Sequence, residues 1–193
     1  MDFDLPKILS TPTQPPKNVL NAHYQTLFPE YDWKPHSDYV GLVKEACWFY
    51  DDIITKKPAR WVSFTGQSGT GKSEWAKRIK AELKSRGYNV QMWNWSTVCD
   101  DYLNKGDYNI LTHLEKLPIL IIDEIGQSDW VTGTKKLSHL LDRRMNKFTI
   151  CISNLSGNDI ANKLDVRIAS RMNRGNNRIC VMGNNCPDYD NIK

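Results

Sequence analysis

From residue 38 onward the apolar positions switch repeatedly between two spacings. "DYVGLVKEACWFYDDI" repeats at helical intervals, and "ARWVSFTG" then reads as a strand that runs into glycine. In "KSEWAKRIKAELKSRG" the residues Trp75, Ala76, Ile79 and Leu83 fall on one helix face, and Gly87 suits the C-terminal cap. "YNVQMWNW" predicts a second strand. "STVCDDYLNKGDYNILTHLEKL" is helical with a break near Gly106. "PILIID" is continuously apolar, which requires cover on both faces, as in a parallel sheet. "KKLSHLLDRRM" sets Leu137, Leu140, Leu141 and Met145 on one face. "FTICIS", a helix over "NDIANKLDVRIASRMNR" and a last strand "RICVM" complete the series. Strands alternating with helices predict an α/β fold built on a parallel sheet.

The first 36 residues have a different texture. Prolines stand at positions 6, 12, 15, 16, 29 and 35, and proline both lacks a donor and restricts its neighbour. The expectation is an extended arm over 1–36, with one short helix near "VLNAHYQTLF", followed by a folded domain over 37–193. Leu20, Tyr24, Leu27 and Phe28 can form an apolar stripe for a docking partner; a disordered tail fits the arm equally. Composition adds little: 40% hydrophobic, 25% charged and a net charge of +4 over 193 residues describe one ordinary globular domain. No apolar run is long enough to span a bilayer, and the acidic start lacks the pattern of a secretory signal, so a cytoplasmic protein is expected. Five scattered cysteines (47, 99, 151, 180, 186) form no C-x-x-C pair and predict plain buried thiols.

Chemistry enters at "GQSGTGKS". Gly66, Gln67, Ser68, Gly69, Thr70, Gly71, Lys72 and Ser73 match G-x-x-x-x-G-K-[ST] between a predicted strand and helix, the context that defines a P-loop. The glycines let the backbone wrap with its N–H groups turned inward. The helix starting near Lys72 adds its positive dipole end. Lys72 is expected to reach the β- and γ-phosphates of ATP, and the Ser73 hydroxyl to ligate Mg²⁺.

"LIIDE" ends a buried strand in two acids. Asp123 is suited to hold the Mg²⁺ hydration shell, and Glu124 to polarise a water for in-line attack on the γ-phosphate. Asn154 follows the next apolar strand. An amide at a strand end is ordinary turn chemistry, but its order after the acids suits it to orient the same water. Arg167, Arg171 and Arg174 are spaced to share one helix face opposite Leu164, Ile168 and Met172. Spacing alone is met by a solvated basic face; the sharper alternative is an arginine finger for a γ-phosphate.

The stretches "LPILIIDEIG", "LLDRRMNKFTICISNLS" and "LDVRIASRMNRG" together resemble the DnaC/DnaI/IstB group of AAA+ ATPases, over about 38–182. The Ile-Gly after the acids, the Asp-Arg-Arg and the "SNL" are more discriminating than the P-loop. The resemblance implies Walker A at Gly66 to Ser73, Walker B at Asp123 and Glu124, and sensor I at Asn154. It implies an arginine finger at Arg171, with Arg167 the neighbouring alternative. It also implies a five-stranded sheet in the order 5-1-4-3-2 and a homo-oligomeric open ring or spiral. The segment after Arg171 is expected to be too short for a substantial C-terminal lid.

That group implies a helicase loader in DNA replication, with ATP, Mg²⁺, single-stranded DNA and a replicative helicase as cofactors and partners. Lys105 and Tyr108, with Trp130, Lys135 and Lys136, pair cations with aromatics in the way a strand-tracking, base-stacking surface does; ordinary surface residues are the plainer account. The IstB-like alternative is a transposition ATPase that binds DNA and recruits a transposase. A nucleotide kinase would want a lid and an acceptor pocket, and a slow nucleotide-gated switch would differ in turnover.

Overall fold

A computed structural model describes residues 26–27, 37–127, 131–183 and 186. The elements run α1 (Ser37–Ile54), β1 (Trp61–Gly66), α2 (Lys72–Ser85), β2 (Val90–Asn94), α3 (Trp95–Leu103), α4 (Asn109–Lys116) and β3 (Ile119–Ile125). They continue with α5 (Val131–Arg143), β4 (Phe148–Ser153), α6 (Gly157–Asp159), a π-helical turn (Ile160–Leu164), α7 (Val166–Met172) and β5 (Arg178–Met182). All four strand pairings are parallel, and the spatial order β2-β3-β4-β1-β5 is the predicted order read from the other edge.

The strands are apolar on both faces because both are covered. Val62, Phe64, Ile119, Ile121, Ile150 and Ile152 pack with Phe49, Trp75, Ile79 and Leu83 of α1 and α2. The alternate positions Trp61, Leu120, Ile122 and Cys151 pack with Leu114, Leu137, Leu141, Ile168 and Met172 from the helices on the other side. Period-two alternation thus divides one continuous apolar run between two cores. The face predicted for α2 is the buried one. That helix stops where Gly87, at φ +81°, lets its N–H reach the Lys84 carbonyl at 2.9 Å.

One predicted helix is not continuous. The stretch from Asn158 to Arg174 breaks at Asp165, which is extended (φ −162°), and restarts as α7. The Asp165 carboxylate accepts from the Arg167 N–H at 2.7 Å, so an aspartate that reads as mid-helix is an N-cap. All five cysteines are buried and free, as expected. Of the N-terminal stripe, Leu27 is buried against α1 and its neighbours; Leu20, Tyr24 and Phe28, like most of the arm, lie outside the described residues.

Candidate nucleotide site

Parallel pairing puts the C-terminal ends of all five strands on one edge, and the motif residues sit there. Gly66 closes β1 and faces Met182 at the end of β5. Gly66, Gly69 and Gly71 have φ of +115°, +82° and +75°, a region that only glycine enters freely. A side chain at Gly66 would also collide with the chain, since a Cβ there would lie 2.3 Å from the Met182 carbonyl oxygen. Gln67, Ser68 and Gly69 are exposed at the loop tip, while Thr70 and Lys72 are buried.

The Lys72 ammonium donates to the Gly66 carbonyl (2.9 Å), the Gln67 carbonyl (2.5 Å) and the Thr70 hydroxyl (3.2 Å). Burial lowers its pKa to about 8, against the opposing field of nearby Asp123. A buried cation bonded to neutral oxygens is suited to an anionic ligand. Ser73, in the first turn of α2, and Asp123 offer one hydroxyl and one carboxylate. That small set fits Mg²⁺, which keeps several waters and shares phosphate oxygens. Among the described residues no three His, Cys, Asp or Glu side chains gather into a cage for a metal.

The acids occupy an irregular end of β3. The β3–β4 register slips between Ile122 and Ile125, and Glu124 takes φ +58°. Its N–H donates to the Asp123 carboxylate at 2.8 Å. An irregularity therefore interrupts the strand at the two acids, whose side chains would alternate between faces in a regular strand. Gly126 (φ +89°) completes the turn; a Cβ on it would lie 2.4 Å from Leu155 Cδ1 and 3.5 Å from Leu164 Cδ1. The glycine after the acids is thus a place where this turn meets the segment beyond β4.

Asn154 is exposed directly after β4, whose last residue Ser153 pairs with both Thr65 and Ile125. Asn154 thus follows the strand that lies between β1 and β3 in the sheet. One site residue escaped the sequence reading. Asn94, opposite Asp123 at the end of β2, donates its side-chain amide to the Glu124 carboxylate. Its oxygen accepts from the Ser96 N–H (2.9 Å) and caps α3. The polar residue ending "VQMWN", at the junction of a strand and the next helical stretch, was the available signal.

Arg167, Arg171 and Arg174 line one open depression with Asp142, Val166 and Ser170. Ile168 and Met172 are buried on the opposite side of α7, and Leu164 packs with the same cluster. Arg167 is paired with Asp165 (2.8 Å) and Arg171 with Asp142 (2.6 Å). Of the suggested DNA contacts, Tyr108 and Lys136 meet around Tyr102. The Lys136 ammonium lies 4.6 Å from the Tyr102 ring centroid, and Tyr108, 67% exposed, sits edge-on at 5.2 Å. Lys105 pairs with Asp101 of α3 at 2.6 Å; Lys135 is exposed with no placement in this cluster; Trp130 lies outside the described residues.

The parallel sheet and the loop between β1 and α2 define a P-loop α/β fold. That fold is similar to the folds of DnaC- and DnaI-type AAA+ structures. No family model matches the chain, and no curated protein matches it by sequence. Among solved structures, the chain is similar to DnaI at 20% identity and TM-score 0.67, over 90% of this chain and 93% of that one. It is similar to the DnaC helicase loader at 19% identity and TM-score 0.68, over 87% of this chain and all of that one. It also resembles the replication initiator DnaA bound to AMPPCP and single-stranded DNA (17%, TM-score 0.62), where 88% of this chain spans about half of DnaA, 51% of that chain. Among the described residues no helix is long and apolar enough to cross a membrane.

Proposed function

We propose that this chain is an ATPase that loads a replicative helicase onto DNA, with residues 37–193 forming the ATPase unit and 1–36 the arm that docks the partner. The observation that carries the reading is the convergence of Lys72, Asp123, Glu124 and Asn154 on one sheet edge. In ATP, the β- and γ-phosphates would take the place of the loop oxygens around Lys72, and the loop N–H groups and the start of α2 would bind the remaining phosphate charge. Mg²⁺, when bound, would supply charge neutralisation at the phosphates. Ser73 and Asp123 are the residues to hold it.

Glu124 accepts the proton of the attacking water, and Asn154 orients that water from the adjacent strand. Arg171 stabilises the charge on the γ-phosphate of a neighbouring copy in a homo-oligomer, with Arg167 beside it. The Tyr102, Tyr108 and Lys136 cluster, with Lys105, is the surface for single-stranded DNA: a ring stacks on bases and a cation tracks the backbone. These partners place the protein in the cytoplasm.

The deciding experiment measures ATP hydrolysis and helicase capture together. Lys72→Ala should lose ATP binding, and wild-type chain with Mg-ATP should retain a replicative helicase from a purified mixture. Tight ATP binding by Lys72→Ala, or no helicase retention under any nucleotide condition, would sink the reading.

A further inference from the structure

We infer that Asp142, with Ser138, is a positioning residue that fixes the Arg171 guanidinium for transfer of its charge to a neighbouring triphosphate; the inference rests on the ATPase reading above. The three arginines of the depression are not equivalent. Arg167 is 68% exposed, and its carboxylate partner Asp165 caps the same helix, so the pair moves as one with α7. Arg174 is exposed. Arg171 is different: its side chain is 12% exposed and is tied to another helix at two points. Nη1 donates to the Ser138 hydroxyl at 2.9 Å, and Nη2 forms an ion pair with the Asp142 carboxylate at 2.6 Å.

Ser138 and Asp142 are one helical turn apart on α5, so they present two acceptors in line on one face. Ser138 is buried, whereas the Asp142 side chain is 51% exposed. The fork is therefore pinned on its inner side by a hydroxyl and on its outer side by a charge. A planar guanidinium engaged at both terminal nitrogens has less freedom to rotate than an exposed arginine, and its other N–H groups are left for a ligand. Chemistry that works by placing charge needs this kind of prior immobilisation, because a freely rotating side chain must be ordered at the moment of reaction. Asp142 also lies within electrostatic reach of Arg167, so its carboxylate influences both candidate fingers. This gives the aspartate of "DRR" a role that its position on an exposed helix surface does not require for folding.

The test compares full-length Asp142→Asn, Asp142→Glu, Ser138→Ala and Arg171→Ala with the wild type. Steady-state Mg-ATP hydrolysis is measured across protein concentration, and ATP affinity is measured separately. Asp142→Asn should lower kcat about tenfold with ATP affinity unchanged, Ser138→Ala should lower it less, and Asp142→Glu should restore most of it. The double variant Asp142→Asn, Arg171→Ala should be no worse than Arg171→Ala alone, since both changes remove one device. If Arg171→Ala is impaired while Asp142→Asn turns over normally, or if the two losses add, the positioning role is wrong and the ATPase reading stands. If Arg171→Ala turns over like the wild type, the positioning role falls and the ATPase reading stands; if the wild type never hydrolyses ATP, both fall.

Discussion

Lys72 is the residue where environment and chemistry meet most directly. Its ammonium is buried among neutral oxygens, which lowers its pKa to about 8. A bound triphosphate favours the charged form and raises that pKa again. The sign follows. Below pH 8 the free lysine is already protonated and binding takes up little; above pH 8 the free lysine is increasingly neutral, so binding must take up a proton and weakens as pH rises. Calorimetry at pH 8.5 in two buffers of different ionisation enthalpy should show net proton uptake, absent in a Lys72→Arg variant. Glu124 raises a different point. Its carboxylate is held by Asn94 in a left-handed backbone, so its orientation belongs to β2 as much as to β3. Glu124→Gln should bind ATP with near-normal affinity and lose hydrolysis by about a hundredfold or more. Asn94→Asp keeps the acceptor that caps α3 but sets a second carboxylate beside Glu124. It should lower kcat for ATP hydrolysis with ATP affinity unchanged, because the amide donor that holds Glu124 is lost; an unaltered kcat would show that the contact does not position the base.

At the scale of elements, Arg144 explains the second arginine of "DRR". It is fully buried and donates to the Leu114 and Leu117 carbonyls (2.7 and 2.8 Å), the Phe148 carbonyl (2.8 Å) and the Thr149 hydroxyl (3.1 Å). Burial lowers its pKa to about 10. The side chain thus joins the end of α4, the turn after α5 and the start of β4. Arg144→Met should cost about 3 kcal/mol or more in urea unfolding, since it leaves several buried acceptors without donors. Neither this role nor that of Asn94 was legible in the sequence, because each joins residues about thirty positions apart. The break at Asp165 was hidden for another reason: apolar spacing continues through it, and only backbone angles separate a cap from a mid-helix aspartate. The strands, the face of α2 and the cap at Gly87 were legible, because two-sided burial and local turn chemistry leave their mark within a few residues. The phosphate loop and acid pair were legible as motifs, although the register slip and left-handed backbone at Glu124 were not.

Across the whole molecule, parallel strands carry every candidate catalytic group except the arginines to one edge, while α7 carries the arginines to a separate depression. That division is what a shared site between copies requires. Mixing Glu124→Gln with Arg171→Ala should therefore recover hydrolysis that neither variant shows alone, with a maximum near equal amounts. Activity that stays at the level of the separate variants at every ratio would count against sharing. The five thiols have a practical consequence. All lie in the interior, and burial lifts Cys47 and Cys151 to about 12 and Cys99 to about 11, so maleimide dyes at neutral pH meet few reactive thiolates. A single cysteine introduced in place of solvent-facing Tyr108 should accordingly take up a fluorophore far faster than the native thiols, giving a reporter of what approaches that aromatic corner.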